Sequence, residues 1–442
     1  MKRVIISFIC AIVAVLQLSA QETVWTLEQC LLYAYENNIT LKQELLNVDR
    51  AENNLLQSKI NLLPDLNASG SHNSAKGRVW DNTTANFVEG SAVNSLSGQI
   101  GSGVVLFNGL QKKNTVDKNK FFLLSSIQNV EKLKNNLSIN ITLFYLQIIH
   151  AQEQLAIADD QLQLTLLQVE RTKTLVEAGK VPEGDLFEIQ SQAAKEEFQV
   201  VTAHNMLESA RLDLAQALDL KTAKGFQVAL PDFSNMDISD DFTSVDNIFT
   251  TAENSLPEIK AAEYNLEAAD KALAIARGGR SPRLSLSGSG NTSYSNNWDM
   301  ERWKQLSQNY TLSVGVGLNI PIFNGWQVQS GIKNAKLDLQ NYHYQLQLTK
   351  NTLYKEIQQA HSDAMAALKQ YLSATKTVIS MDEAFRYTEQ RYEVGIMNFV
   401  DYSAAKTRLT IAQSDLLQAK FEYIFKTKIL DFYNGMPIKL KK

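Results

Sequence analysis

The sequence predicts a mixed fold: a barrel of long α-helices joined to a transmembrane β-barrel, in a two-fold internal repeat where each half contributes two strands and long coiled helices. Three observations point there. First, Leu106-Phe107-Asn108-Gly109 returns 216 residues later as Ile322-Phe323-Asn324-Gly325, with Gly179 returning as Gly395 and Asp185 as Asp401 at the same spacing. Self-similarity over so long a period sets the architecture, and each half is expected to be one structural unit. Second, 15 of the 20 glycines fall in 65–109 and 278–331, leaving 110–178 and 332–394 free of both Gly and Pro. Third, the glycine-rich windows alternate apolar and small polar residues with period two.

The repeat divides the chain into a leader at 1–20, a first repeat at 21–220, a linker or equatorial segment at 221–245, a second repeat at 246–434 and a tail at 435–442. In the leader, Lys2 and Arg3 precede an apolar run from Val4 to Leu18 and the small pair Ser19-Ala20, which reads as a secretory signal peptide. Its removal takes the formal charge from −4 to −6 and leaves Cys30 as the one cysteine, so no internal disulfide is expected. Nothing in the charge pattern suggests a nucleic-acid partner. No stretch after residue 20 approaches eighteen consecutive apolar residues, so a membrane crossing would have to use strands.

After the leader, half-length helices are expected at about 26–62 and 246–277. Strands follow. Leu312, Val314, Val316, Leu318 and Ile320 share one face, while Thr311, Ser313, Gly315, Gly317 and Asn319 share the other; Leu96, Ile100, Val104 and Leu106 repeat the pattern. A strand from Tyr310 to Phe323 would be roughly 43 Å long, enough to span a bilayer when tilted. Tyr294 and Tyr310 at one end, with Phe107 and Phe323 at the other, are candidate membrane-interface aromatics. Four strands cannot close a barrel, so the edges must be completed by further copies.

The glycine-free runs, rich in Leu, Gln, Lys, Ala and Glu, read as single helices of roughly 100 Å each. Leu137, Ile141, Phe144 and Ile148 mark an apolar stripe. Each long helix stops at Gly179 or Gly395, and a return helix runs over about 183–218 or 399–433, forming an αα-hairpin. Pro64 returns as Pro282 at a spacing of 218 rather than 216, so the copies differ by two residues in one loop.

Catalytic constellations are absent. The five histidines are scattered without ligand spacing, no nucleophile elbow or phosphate loop is present, and no cofactor or metal is expected. The hairpin turns differ. Gly179 and Gly395 suit helix caps, and Asp185 and Asp401 suit the first turn of a helix. Yet Val181, Pro182, Ile396, Met397 and Phe399 place apolar side chains far from any core, which fits a partner-binding tip as well as a plain turn.

The repeated long helix ending in a Gly hairpin with Asp six residues on, written Arg391-Tyr392-x-x-Gly395 in the second copy, and the Leu/Ile-Phe-Asn-Gly strand-to-helix junction, resemble the TolC-type outer-membrane efflux family over residues 21–442. Tyr402 departs from the family pattern, standing where Leu186 stands in the first copy. The resemblance implies a homotrimer forming a 12-stranded barrel in outer-membrane lipid, above a periplasmic helical tunnel. It also implies docking of the tips, including Leu186, to a periplasmic adaptor and an inner-membrane efflux pump or ABC transporter. Passive export, by tripartite efflux or type I secretion, is the expected function. It further implies a constriction before the second hairpin, where Asp382 and Glu383 are the one adjacent acidic pair and the candidate gate, although a solvated outer face is their ordinary fate. A cell-surface or periplasmic coiled-coil scaffold is the alternative. A third reading, the adaptor itself, is opposed by the two hairpins and four membrane-grade strands.

Overall fold

The computed structural model describes residues 24–90, 92–223, 225–231 and 242–436. The leader, residues 232–241 of the linker and the tail beyond 436 lie outside the described residues. In chain order the elements are β1 (Val24–Trp25), α1 (Leu27–Asn37), α2 (Ile39–Ile60), β2 (Asn67–Lys76), β3 (Val79–Asp81), β4 (Asn86–Val88), β5 (Ala92–Phe107), α3 (Gln111–Glu177), α4 (Glu183–Ala217), β6 (Gln227–Val228), α5 (Val245–Ser255), α6 (Pro257–Gly278), β7 (Arg283–Ser295), α7 (Arg302–Gln308), β8 (Thr311–Asn319), α8 (Gln327–Glu393) and α9 (Phe399–Tyr433).

The glycine-free runs become α3 and α8, each an unbroken helix of 67 residues. The expected half-length helices are instead two helices apiece. Leu256 precedes Pro257 and is held extended at ψ 136°, because the proline ring crowds an α-helical conformation in the residue before it. At the equivalent point Asn38 turns outward at ψ 124° and its side chain accepts from Leu41 N at 3.0 Å, while Asp219 Oδ2 accepts from Ile39 N at 3.2 Å. These bonds satisfy donors that a helix start leaves bare.

Each half was expected to be one structural unit. The compact units instead cut across the repeat, one joining Glu44–Asn129 to Pro257–Thr349 and the other joining Met1–Gln43, Val130–Leu256 and Lys350–Lys442. The cause lies in strand pairing. In the first unit the sheet order is β2-β5-β7-β8, all antiparallel, so its central ladder pairs a strand of one half with a strand of the other. That leaves β2 and β8 as free edges within the chain.

The registers also locate the two-residue difference between copies. Paired positions sum to 168 in β2–β5 (Asn67↔Gly101) and to 602 in β7–β8 (Arg283↔Asn319). The difference, 434, is one shift of 218 plus one of 216. Positions from α2 through β2 therefore map onto α6 and β7 with 218, and positions from β5 onward map with 216. The step falls in the loop between the strands, where one copy builds the β3–β4 hairpin and the other builds α7.

Two expectations about the strands change. β8 ends at Asn319 rather than reaching Phe323, since Pro321 has no N–H to donate and its partner β7 begins only at Arg283. In β5 the ladder skips from Val105↔Ser285 to Phe107↔Leu284, a bulge. Opposed residues share a face, so the bulge turns Phe107, and not Leu106, toward the side of Leu284 and Leu286.

In the second unit, Ile141, Ile148, Ile149 and Leu214 are fully buried with Cys30, Ala34 and Leu27 of α1, and Leu137 and Phe144 line the margin. Fully burying each such aliphatic side chain stabilises by about 1.5–3 kcal/mol. Tyr145 is buried among them, and its hydroxyl donates to Ala229 O beyond β6 at 2.5 Å. β6 itself pairs in parallel with β1. Burial pushes the Cys30 thiol up to about 12, so it stays an inert core residue.

Candidate functional site

On the strand unit, register fixes the faces. Leu96, Ile100 and Val104 of β5 lie opposite Tyr294, Gly290 and Leu286 of β7, and Gly290, Leu286 and Leu284 lie opposite Leu312, Val316 and Leu318 of β8. The opposite face carries Gln99, Ser97, Ser285, Ser287, Ser289, Ser293 and Ser313, with Ser289 and Ser313 hydroxyls 2.9 Å apart. Leu312, Val314, Val316 and Leu318 are between 63% and 82% exposed, a bare apolar face that a water-soluble sheet would have to cover. Tyr294 and Tyr310 flank one end of the sheet, and Phe107 and Phe323 flank the other. Among the described residues no helix is long and apolar enough to cross a membrane.

On the helical unit, both hairpins close with the same cap. Gly179 (φ +70°) donates to Val176 O while Lys180 N donates to Leu175 O; Gly395 (φ +77°) donates to Tyr392 O while Ile396 N donates to Arg391 O. The paired bonds and left-handed glycine satisfy carbonyls at the helix end. No atom lies within 4 Å of a Cβ placed at either glycine, so backbone conformation alone demands them. Pro182 and Asn398 are the N-caps of the return helices, and the Asn398 side chain accepts from Asp401 N at 2.8 Å. Asp185 and Asp401 sit in the first turns, where negative charge suits the helix dipole.

The tip surface differs from expectation. Ile396 is 70% exposed and Pro182 is exposed, Val181 and Met397 are half-buried, but Phe399 is buried against Ile189 and Tyr402, with Leu186, Val169, Phe385 and Tyr392 packed around them. Phe399 is the first residue of α9, directly after the loop, and its side chain turns inward onto this small core. Tyr402 lies 4.5 Å from Tyr392 ring to ring and is buried, which accounts for a larger residue standing where Leu186 stands in the first copy. Burial raises the Tyr402 phenol to about 12, reinforced by Glu389. Exposed Val394, just past the end of α8, joins the tip surface with Val400 and Phe187, which lie on helices whose orientation no periodicity fixes.

Beneath the aromatic layer lies a second feature invisible in the sequence. Lys406 and Glu196 are 6% and 3% exposed and their charged atoms are 3.8 Å apart. Lys406 Nζ donates to Thr165 Oγ1 at 2.6 Å and to Gln161 O at 3.1 Å, and Gln192 Nε2 donates to Glu196 Oε1 at 2.9 Å. The Thr165 hydroxyl in turn bonds Glu196. Burial lowers the Lys406 ammonium, opposed by Glu196 and Glu389. The cluster ties α3 and α4 to α9, and an exposed pair, Arg171 with Glu393 at 3.8 Å, links the same hairpins nearer the tips.

Asp382 and Glu383 are exposed on α8, and Glu383 is paired along the helix with Arg386 at 2.7 Å. No group of three or more His, Cys, Asp or Glu placed to hold a metal occurs among the described residues.

An open antiparallel sheet with one apolar and one small polar face, carried with paired long helical hairpins, defines a channel-forming outer-membrane protein. The sequence profile described as outer membrane efflux protein matches residues 32–219 and 249–424, and the chain belongs to that family. It is similar to outer membrane protein TolC of Vibrio cholerae, 24% identical over 294 residues covering 66% of each chain, so it spans about two thirds of that relative's length. With outer membrane efflux protein BepC of Brucella suis it is 23% identical over 405 residues, 90% of this chain and 83% of the other. Its fold matches the CmeC outer membrane channel of Campylobacter jejuni with a TM-score of 0.79 at 19% identity, covering 92% of this chain and 85% of that one. The chain is accordingly an outer-membrane exit duct with its helical part in the periplasm, and not an enzyme.

Proposed function

We propose that three copies of the chain close a shared 12-stranded barrel in the outer membrane, and that solutes leave passively through it, driven by an inner-membrane efflux pump or ABC transporter. The carrying observation is the four-stranded sheet with free edges at β2 and β8 and a bare apolar face. Two copies would give eight strands, whose interior fills with side chains, whereas twelve leave room for solutes. The tips around Gly179 and Gly395, with Val181, Pro182, Ile396, Met397, Asp185 and Asp401, are the surface for a periplasmic adaptor. Phe399 and Leu186 support that surface from below. The duct serves either a tripartite efflux or a type I secretion assembly, and its wall of Ser, Asn, Gln and Thr selects weakly among substrates. Phe107, Phe323, Tyr294 and Tyr310 mark the two membrane interfaces, and Asp382 with Glu383 is the candidate acidic gate.

Planar-bilayer recording of the purified protein tests the duct. Discrete, uniform conductance steps are expected; a membrane-bound protein that never conducts would be a coiled-coil scaffold instead.

A further inference from the structure

We infer that β8 of one copy pairs with β2 of the next in a register fixed by the internal repeat, β8 residue k lying opposite β2 residue 388 − k. We infer too that the strand-to-helix junction at this seam is wider than its counterpart within the chain. The inference rests on the shared-barrel reading and adds to it a specific set of contacts.

Within the chain, β5 residue i faces β7 residue 390 − i, from Ser95↔Ser295 to Val105↔Ser285. This is the ladder by which one half meets the other. Carrying it to the seam moves β5 onto β8, which adds 216, and β7 onto β2, which subtracts 218. The sum falls by two, to 388. Leu312 then faces Lys76, Val316 faces His72, Gly317 faces Ser71 and Asn319 faces Ser69.

Three features of the strands agree with that value. An even sum keeps Val314, Val316 and Leu318 on the same side as His72, which already lies beside Leu96 on the apolar face; a slip by one residue would reverse every side chain. At one end Thr311, the first residue of β8, meets Gly77, whose φ of +136° takes the chain out of β2. At the other end Pro321, unable to donate, meets Asn67, the first residue of β2. Both strands therefore run out together.

The junction follows from the same mapping. Gly109 and Gly278 pack so closely that a Cβ on either would stand 2.5 Å from the other's carbonyl oxygen, and Gln111 Nε2 donates to Ile275 O at 2.9 Å. Across the seam the corresponding residues are Gly325, Ile60, Gln327 and Gln57. Gly325 has open space around it and Ile60 is exposed, and an isoleucine cannot enter the space that Gly278 occupies. The bond from Gln327 to the Gln57 carbonyl is then absent or bridged by water. The assembly would alternate three tight junctions with three wide ones.

Cysteine pairs in the full-length protein test the register. Gly317→Cys with Ser71→Cys and Val316→Cys with His72→Cys are adjacent pairs, one of which is the closer, non-hydrogen-bonded type. Controls pair Gly317→Cys with Asn73→Cys or Ser69→Cys. After mild oxidation in membranes, covalent multimers are expected at least tenfold more from one of the first two pairs than from either control. Cys30 is fully buried and gives no background. A control that cross-links best, or a trimer by mass measurement with no cross-link in any pair, overturns the register and leaves the shared barrel standing; a monomer by mass overturns both. For the junction, Ile60→Trp is expected to leave trimer yield within about twofold and Gly278→Val to abolish it. Loss of trimer in Ile60→Trp overturns the wide seam.

Discussion

Lys406 sits in a polar stretch of α9, and neither its neighbours nor its spacing distinguish it from Lys420, Lys426 and Lys428, which are only half-buried on the same helix. Its burial comes from Thr165 and Glu196, more than 200 positions away in sequence, which only the docking of the hairpins brings close. A buried ion pair repays little of its desolvation, so its worth is in fixing how the hairpins register. Lys406→Met alone would strand the Glu196 carboxylate and should cost about 3–5 kcal/mol, seen as a lowered thermal transition in detergent. Lys406→Met combined with Glu196→Leu should recover most of that loss; if the double variant is no better than the single, the pair is not acting through an uncompensated charge. Asp363 of α8, bonded to Lys426 of α9, offers a pH test. Its hydrogen bond from Lys426 at 2.7 Å holds its carboxyl below the usual range, so the folded state binds its proton less readily than the unfolded one. That contribution is fully present above the unfolded value near pH 4 and is lost as pH falls through the depressed one. Asp363→Asn should therefore flatten the loss of thermal stability in acid, as followed by circular dichroism between about pH 2 and 5.

At the scale of elements, the helices were legible and their breaks less so. The glycines at 179 and 395 act through their own backbone, so their positions mark the breaks directly; Pro257 also breaks its helix locally, yet the apolar periodicity carried the expected helix at 246–277 straight through it. The break at Asn38 depends partly on Asp219 and could not be read locally. Hairpin chemistry leads to a further prediction. Gly179→Trp and Gly395→Trp should abolish export while leaving the assembled barrel intact, because the strain of a non-glycine residue at positive φ is only about 1–2 kcal/mol and the added indole projects into open space. Export assayed alongside barrel assembly checks it; normal export by both variants would make the tips mere turns. Ile396→Asp should weaken adaptor capture more than Phe187→Asp if the second hairpin is the more apolar contact, and equal losses would argue against that preference.

For the whole molecule, mass measurement in detergent should find three copies, and a stable dimer or monomer would refute the shared barrel. Three copies would also repeat Asp382 and Glu383 around the axis. If either faces the lumen, Asp382→Asn with Glu383→Gln should reduce cation over anion permeability and relieve block by trivalent cations, both effects being strongest at low salt. Unchanged selectivity would place the pair outside the pore, where Glu383 already has Arg386 as a partner. The sequence by itself determined the two-fold repeat, the long helices, the hairpin turns and the alternating strands, because periodicity and Gly or Pro placement are local consequences of backbone geometry. Tertiary structure decided that Phe399 supports the tips rather than forming them, that a bulge turns Phe107 toward the apolar face, that Lys406 is buried, and that the compact units cut across the repeat. These depend on which distant segment lies opposite, and pairing across the halves is set by contacts whose partners no local pattern specifies.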